Sequence, residues 1–205
     1  TSALPWPPQP VTLAGEHVSL EPLSAAHAPE LARAAADPGL RDLWFTTVPS
    51  PEQVPAFIDT ALAQQQAGRA LPFAVRHRPS GELVGSTRYM NIEPDRRRLE
   101  IGTTWYATRA QRTPLNTEAK RLLLAHAFEA LDCIAVELRT HFFNFRSREA
   151  IAKLGAKQDG ILRQHMLTAD GSLRVVLSIN GLALLALGVY WGPLLGWCRR
   201  SFGLG

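Results

Sequence analysis

A strand, a long helix and a second strand follow one another in the middle of this 205-residue chain and restrict the folds open to it. Residues 99–106 have the pattern of a strand, and residues 114–131 carry the broad apolar face of an amphipathic helix. Residues 134–138 are rich in Ile and Val and predict the second strand. A helix between two strands is a building unit of α/β proteins, so we expect a sheet flanked by helices.

The flanking segments extend this unit to the order β-α-α-β-β-β-α-β-α-β-β. Before it we predict a strand, two helices and two strands, at residues 17–21, 25–36, 51–68, 73–76 and 83–85. After it we predict a helix ending at Gly155 and strands near 161–167 and 173–179. With no internal repeat and no linker, the chain is interpreted as a single α/β domain around a mixed sheet.

The two ends of the chain differ from its body. Residues 1–10 contain four prolines and predict an extended arm, residues 11–179 form the predicted domain, and residues 180–205 form an atypical apolar tail. No charged residue occurs from Val175 to Trp197, which raises the alternative of a membrane span. Five glycine and proline residues interrupt the stretch, so a tail packed on the domain or on a partner is the preferred interpretation.

Composition narrows the function classes. The 22 Lys+Arg against 18 Asp+Glu give a net charge of +4, but the tightest basic run, Arg96 to Arg98, lies between two acidic residues. No long basic stripe with interleaved aromatic residues occurs, so nucleic-acid binding is not expected. Cys133 and Cys198 are isolated, and the six histidines lack metal-ligand spacing, so no metal site is predicted. Isolated thiols fit a reducing, cytoplasmic setting.

The join between the strand ending at Tyr106 and the helix beginning near Pro114 is a candidate anion site. Free backbone N–H groups and the helix dipole favour an anion at a helix N-terminus. Alternatively, Thr113 is an ordinary N-cap and Pro114 an ordinary first helical residue. A second segment, residues 144–156, follows the next strand, and there too Asn144 and Arg148 admit a purely structural interpretation.

Taken together, these segments resemble the GNAT superfamily of acyl-CoA-dependent N-acyltransferases, most closely its RimJ/RimL-type branch. The resemblance covers roughly residues 11–174 and rests on five motifs in order: Glu100-Ile101-Gly102, Trp105-Tyr106, Gln111 to Lys120, Asn144 to Ala156, and Gly160 to Arg163. It implies a single GNAT-like domain with a mixed, mostly antiparallel sheet. It also implies acetyl-CoA as cosubstrate and no metal.

The resemblance implies cofactor contacts at several positions. Backbone N–H groups would hold the CoA diphosphate, and the strand end would bind pantetheine and polarise the thioester carbonyl. The implied cofactor-binding residues are Trp105, Tyr106, Gln111, Arg112, Thr113, Leu115, Asn116, Thr117, Asn144, Ser147 and Arg148. The sequence departs from the family at Pro114 and Asn116, which replace glycines, and at Ile151, which replaces a frequent tyrosine.

The resemblance also implies catalytic and acceptor residues. Glu100 matches a carboxylate that acts as a base through water, although pairing with Arg98 or another guanidinium is an equal alternative. Ser147 becomes the candidate acid because the side chain of Ile151 has no group that can donate a proton. Trp44, Arg88, Tyr89 and His141 could line the acceptor pocket, although aromatic residues at such positions are more often core.

The predicted function is acetyl transfer from acetyl-CoA to a primary amine, either a protein N-terminal α-amine or a small-molecule amine. Direct attack in a ternary complex is expected, with proximity supplying most of the acceleration. The alternative is a catalytically degenerate acyl-CoA-binding or protein-interaction module, motivated by Pro114 and Ile151. A homodimer is left open, and a membrane partner is not expected.

Overall fold

A computed structural model of the chain describes residues 6–40 and 48–161. The first half of the described part contains β1 (Leu13–Ala14), β2 (Val18–Pro22), α1 (Ala28–Ala35), α2 (Val54–Gln66), β3 (Leu71–His77) and β4 (Glu82–Glu93). The second half contains β5 (Arg98–Tyr106), α3 (Pro114–Ala125), β6 (Ala135–Glu137) and α4 (Phe145–Lys153). Apart from the two-residue strand β1, this is the predicted order through its last helix. The two strands predicted near 161–167 and 173–179 lie outside the described residues, except for residue 161.

The strands form one mixed sheet with the order β1-β2-β3-β4-β5-β6. Neighbouring strands are antiparallel from β1 to β5, and only β5 and β6 are parallel. The parallel pair is the one joined by the long helix, as a strand-helix-strand crossover requires. The predicted single α/β domain with a mixed, mostly antiparallel sheet is therefore confirmed for the described residues.

Two apolar clusters pack on opposite faces of the sheet. On one face α3 buries Leu115 and Leu123 against strand residues such as Phe73 and Tyr89. On the other face α1 and α2 pack against Ala74 and Trp105. The alternation of side chains along each strand assigns successive residues to the two clusters. Residues of β4 and β5 thus face either α3, on the α3 face of the sheet, or α1 and α2, on the α1–α2 face.

The N-terminal arm contacts the body where it is described. The indole N–H of Trp6 donates to the carbonyl of Leu131 at 3.0 Å. Residues 1–159 form one compact unit, and residues 160–205 form a second unit of which the structure describes only the first two residues. The predicted boundary at residue 180 therefore lies outside the described residues. None of the helices within residues 6–40 and 48–161 is long and apolar enough to cross a membrane.

The arginine run from Arg96 to Arg98 is paired with the protein's own carboxylates. Arg96 contacts Glu93 at 2.9 Å, Arg97 pairs with Asp132, and Arg98 pairs with Glu137. These are surface pairs, which contribute little to stability. The run is therefore part of an ion-pair network around the turn between β4 and β5.

Glu118 connects α3 to the hairpin formed by β1 and β2. Its Oε1 accepts the backbone N–H of Glu16 at 2.7 Å, and its Oε2 accepts those of His17 and Val18 at 2.7 and 2.9 Å. Burial raises the pKa of this carboxyl, but the three backbone hydrogen bonds outweigh that effect and hold the pKa below its usual value.

We expect Glu118→Gln to lower the free energy of unfolding by about 2 kcal/mol at pH 7, because hydrogen bonds to a charged acceptor are replaced by weaker ones. A depressed folded-state pKa means that the charge contributes stability above the unfolded pKa of about 4.3, and that this contribution is lost as the pH falls through the folded value. Urea unfolding at several pH values should therefore show the difference between wild type and variant shrinking in acid. A difference that stays constant down to the folded pKa would contradict this, and the exposed Glu129→Gln serves as control.

Candidate functional site

Strand β5 parts from β6 along its second half. The parallel pairing runs from Arg98 opposite Ala135 to Glu100 opposite Glu137, where β6 ends, while β5 continues to Tyr106. On its other side β5 shifts register against β4 between residues 102 and 105, and Thr103 has a φ of 47° there. This bulge bends the strand. Among the described residues, the β5 backbone from residue 101 onward has no strand neighbour on the β6 side.

The N-terminus of α3 begins beside the end of β5. The Gln111 side-chain amide donates to the Tyr106 carbonyl at 2.9 Å, which fixes the loop to the strand end. Thr113 is the N-cap, its Oγ1 accepting the Leu115 N–H at 3.3 Å and donating to the Ala110 carbonyl at 2.8 Å. Arg112 has a φ of 60°, in the left-handed region. The interpretation of Thr113 and Pro114 as helix-start residues is thus correct, whatever further role they have.

This helix start still has capacity for an anion. Pro114 has no N–H, and the N–H of Leu115 already donates to Thr113 Oγ1. Within the described part of the chain, the N–H groups of Arg112 and Thr113 donate no hydrogen bond. The N–H of Asn116 is one of those that the helix geometry leaves without a standard intrahelical acceptor. Together with the helix dipole, these groups favour negative charge.

A cleft of about 530 Å³ lies between α3 and α4. Its lining includes Thr117 and Arg121 from α3 and Lys153 and Leu154 at the end of α4. Arg121 and Lys153 are exposed, but Lys153 pairs with Glu149 at 2.8 Å and Glu129 also lines the cleft. The cleft therefore has mixed charge, and Arg121 is its unpaired cation among the described residues.

The start of α4 is built around Asn144. Its side-chain oxygen accepts the Ser147 N–H at 3.1 Å, which caps the helix. Arg148 lies over the Phe142 ring at 4.9 Å and donates to Gln158 at 3.3 Å. Asn144, Ser147 and Arg148 are partly buried, so all three remain accessible to a ligand.

Glu100 forms a buried ion pair at the point where β5 parts from β6. It is 4% exposed and accepts hydrogen bonds from Asn91 Nδ2 at 2.7 Å and from Arg139 Nε at 2.8 Å. The hydrogen bonds with Glu100 raise the pKa of Arg139. Of the two alternatives for its partner, the structure shows another guanidinium rather than Arg98. A carboxylate paired with a guanidinium thus lies next to the part of β5 that has no described strand neighbour on the β6 side.

The predicted acceptor residues separate in the structure. Arg88 is 5% exposed on the α1–α2 face of the sheet, the face that also carries Glu100. Tyr89 is fully buried on the α3 face and donates to the Leu123 carbonyl at 2.6 Å, so it belongs to the core and not to an acceptor surface. Its placement there corrects that prediction, because neighbouring residues of a strand point to opposite faces. His141 is partly buried beside Phe143, and Trp44 lies outside the described residues.

Trp105 and Tyr106 end β5 in two different clusters. Trp105 packs on the α1–α2 face and Tyr106 on the α3 face. The Trp105 Nε1 and the Tyr106 hydroxyl are buried without a hydrogen-bond partner in the described part of the chain. Burial raises the pKa of Tyr106. Both side chains are anchored, so any contact with a ligand at this strand end falls mainly to the backbone.

A buried lysine below the bulge is absent from the sequence predictions. Lys120 is 7% exposed, donates to Thr104 Oγ1 at 2.7 Å and lies 3.4 Å from Thr87 Oγ1. Burial lowers the pKa of Lys120 to about 7. The polar run Ser86 to Arg88 in the middle of an apolar sheet is the one sequence signal for this cluster. No group of three or more His, Cys, Asp or Glu in the described ranges is placed to hold a metal ion.

Comparison with known families gives one match that spans this site. Residues 17–157 match the family described as acetyltransferase (GNAT) domain. Among curated relatives, the chain is 26% identical to the uncharacterized N-acetyltransferase YoaA of Bacillus subtilis over 115 residues, 56% of this chain and 64% of YoaA. A 33-residue segment is 54% identical to NADH-quinone oxidoreductase subunit N of Xanthomonas euvesicatoria, over 16% of this chain and 7% of that protein. The chain thus spans less than two thirds of both relatives.

Solved structures share the fold. A GCN5-related N-acetyltransferase from Brucella melitensis is 31% identical with a TM-score of 0.70, covering 79% of this chain and 74% of that one. Mycobacterium smegmatis RimJ in complex with CoA-disulfide is 23% identical with a TM-score of 0.65, covering 77% of this chain and 78% of that one. The second likeness concerns the fold alone.

Proposed function

The chain belongs to the acetyltransferase (GNAT) domain family, and from this premise we propose that it transfers the acetyl group of acetyl-CoA to a primary amine. The observation that carries the proposal is the parting of β5 from β6 directly beside the start of α3. It brings an unpaired strand edge, an anion-favouring helix start and a buried carboxylate into one region. An acyl-CoA thioester needs these elements: amide partners, a diphosphate site and a charge near the amine.

The residues present fit a CoA diphosphate, with fewer donors than an all-glycine loop would supply. The N–H groups of Arg112, Thr113 and Asn116 are the proposed cradle, because Pro114 lacks a donor and the Leu115 N–H binds Thr113. Arg121 and Lys153 in the adjoining cleft would offset further phosphate charge. Gln111 and Thr117 support the cradle from its two ends.

The strand edge is the proposed site of the pantetheine arm. Backbone groups around Trp105 and Tyr106 would pair with its amides, and a backbone N–H there would polarise the thioester carbonyl. Asn144 and Arg148, at the start of α4, are proposed contacts on the opposite side of the gap. Bound acetyl-CoA supplies the activated acetyl group, and the chain supplies alignment, which accounts for most of the expected acceleration.

Glu100 and Ser147 are the proposed catalytic pair. Glu100, held by Arg139 and Asn91, would attract the amine and accept its proton through water. The Ser147 hydroxyl would donate a hydrogen bond to the departing sulfur. A protein α-amine with a pKa of about 7.7–8.0 is about one tenth neutral at pH 7, whereas a lysine amine is neutral to less than about one part in a thousand. This favours an α-amine or another amine of low pKa.

The finer assignment that we propose is the RimJ/RimL-type branch, acting on a protein N-terminus or a small-molecule amine in the cytoplasm. It rests on the motif from Asn144 to Ala156 and on Ile151 at the position of the family's frequent tyrosine, with Ser147 as the proposed hydrogen-bond donor in its place. The shared fold with RimJ is compatible with this branch. The domain limits 11–179 and the separate tail 180–205 are part of the same proposal.

Isothermal titration with acetyl-CoA tests the proposal. We expect saturable binding with a Kd between about 1 μM and 1 mM, the usual range for substrates. Arg121→Met should weaken binding about three- to tenfold by removing one phosphate partner, whereas the exposed Arg96→Met should not. Thiol release should then follow with at least one amine of a panel that includes peptide N-termini.

The outcomes separate the candidate functions. No heat and no thermal shift at millimolar acetyl-CoA would contradict every CoA-dependent function. Binding without thiol release across the panel would support a binding module instead, in line with Pro114 and Ile151 at positions where the family has glycine and tyrosine. Equal binding by wild type and Arg121→Met would remove the cleft between α3 and α4 from the cofactor site.

A further inference from the structure

Arg88 is a buried guanidinium in the middle of the sheet. It is 5% exposed and lies opposite Gly102 in the pairing of β4 with β5. Its described contacts are neutral: Nη1 donates to Gln64 Oε1 at 3.1 Å, and the guanidinium carbon lies 5.0 Å from the centre of the Phe57 ring. No carboxylate of the described residues pairs with it. Within residues 6–40 and 48–161, a permanent positive charge is therefore removed from water without an anion to balance it.

The unused part of this guanidinium has a defined geometry. Arg88 Nε is buried without a hydrogen-bond partner, and no hydrogen bond in the described part of the chain involves Nη2. The N–H groups of Nε and Nη2 point the same way and form a fork that matches the two oxygens of a carboxylate. The fork of Arg88 is thus buried without a partner among the described residues, while Nη1 is held by Gln64 of α2.

Two other arginines of the sheet region show what this fork binds. Arg76 Nε and Nη2 hold the two oxygens of Glu21 at 2.7 and 3.0 Å. Arg139 donates from the same two nitrogens to a single oxygen of Glu100, Oε2. Arg88 is more deeply buried than either, yet no carboxylate in the described part of the chain pairs with it. Burial lowers the pKa of Arg88, as expected for a cation without a counter-ion.

The position of this fork relates it to the proposed reaction. Arg88 pairs with Gly102 and Met90 with Glu100, so these four residues share the α1–α2 face. Arg88 and Glu100 are diagonal neighbours across the strands, a relation that puts residues about 7–8 Å apart. At Gly102 a Cβ atom would lie 2.6 Å from Met90 Sδ and 3.3 Å from Glu100 Oε1, so the Met90 and Glu100 side chains lie directly against this glycine. The fork of Arg88 and the carboxylate of Glu100 therefore lie on one face of the sheet, one residue pair apart.

We propose that the acceptor is a small amine that carries a carboxylate, and that this carboxylate binds the Nε and Nη2 fork of Arg88. The inference rests on the proposed acetyl transfer and specifies its substrate class as amino acids and related amino carboxylates. A single negative charge matches the single guanidinium, whereas a phosphate dianion would leave an excess charge buried. Neutralising the carboxylate also removes its stabilisation of the ammonium form, which eases deprotonation of the amine.

The test compares amino acids with their own methyl esters and decarboxylated amines in a thiol-release assay. We expect wild-type kcat/KM to favour the acid over its ester about 100-fold, since a buried partner is left unpaired by the ester. The ester's amine is the more readily deprotonated, so intrinsic reactivity would favour the opposite order. Arg88→Met should lower kcat/KM for the acid about 100-fold and change that for the ester less than about threefold.

Two further variants guard against a structural explanation. Arg88→Lys keeps the positive charge but removes the fork, so kcat/KM for the acid should fall about tenfold, chiefly through a higher KM. Arg96→Met, an exposed arginine outside the site, should behave as wild type. Should Arg88→Met fail to fold, the acid-to-ester ratio of Arg88→Lys decides. The proposal would be overturned if the wild type had equal kcat/KM for acid and ester, or if the variants lowered kcat/KM for both substrates by the same factor.

A binding measurement keeps this inference separate from the proposed activity. N-acetylated amino acids carry the carboxylate of the expected product and should raise the Tm of wild type in the presence of CoA, but not that of Arg88→Met. If acetyl-CoA binds and no amine is acetylated, the proposed transfer is wrong. The Tm shift with N-acetylated amino acids then tests the carboxylate site independently of activity. An equal Tm shift with the corresponding esters would overturn the carboxylate site. A higher kcat/KM for peptides with an acidic N-terminal residue than for free amino acids would overturn the assignment to small molecules.

Discussion

Replacing Gly85 with alanine is expected to lower the free energy of unfolding by about 3 kcal/mol or more. A Cβ atom at this position would lie 2.0 Å from the backbone oxygen of Trp105 and 3.0 Å from the Cα of Tyr106. Both are main-chain atoms of the neighbouring strand, so no side-chain rotation relieves the overlap. The pairing of Gly85 with Tyr106 would have to open, and it holds the end of β5 in place.

Urea unfolding of Gly85→Ala beside Gly160→Ala measures this effect. A Cβ at Gly160 meets nothing within 4 Å, so that variant should lie within about 0.5 kcal/mol of wild type. The strand end carries the proposed thioester contacts, so Gly85→Ala should also weaken acetyl-CoA binding under conditions where it is folded. A loss of stability below about 1 kcal/mol would show that β4 and β5 can separate here at little cost.

Replacing Lys120 with methionine is expected to raise the free energy of unfolding at pH 7 by about 1–4 kcal/mol. Lys120 is buried on the α3 face and its described partners are the hydroxyls of Thr87 and Thr104, which carry no charge. Methionine has a similar length and removes the cost of burying the amine. The two hydroxyls, 2.7 Å apart, still bond each other.

The pH dependence identifies the cause. The pKa of Lys120 falls to about 7 in the folded state, against about 10.4 in the unfolded state. Between these values the unfolded chain binds the extra proton, so this group makes stability rise with pH by up to about 1.4 kcal/mol per pH unit. Lys120→Met should lose that slope, so its advantage over wild type narrows from pH 7 to pH 10. Exposed Lys157→Met should keep the slope, and parallel curves for Lys120→Met and wild type would refute the argument.

Periodicity predicted most of the described elements because their buried faces are apolar. For β4, periodicity predicted only residues 83–85, whereas the strand continues to Glu93. The missed part begins with Ser86, Thr87 and Arg88, which are buried and yet polar. Their burial depends on partners from other elements: Ser86 on the Phe73 carbonyl, Thr87 on Thr104, and Arg88 on Gln64. A local pattern carries no information about such distant partners.

The candidate site was predictable where its chemistry is local in the chain. Thr113 is predicted as a helix cap by its residue type and its position before Pro114, and the structure confirms it. Asn144 is also a helix cap in the structure, although the sequence allowed an ordinary turn residue there. The partner of Glu100 was not predictable, because Arg139 follows it by 39 residues and meets it only through the parallel pairing of β5 with β6. The bulge at Thr103 was also invisible, since a threonine gives no signal for a positive φ.

The carboxylate of Glu118 has a consequence for the order in which the chain assembles. Its partners Glu16, His17 and Val18 precede it by 100–102 residues, so the hairpin of β1 and β2 cannot gain these bonds until Glu118 has left the ribosome. Contacts so distant in sequence are formed late and slow folding. During synthesis the hairpin of β1 and β2 is therefore fastened to α3 only after that helix has formed.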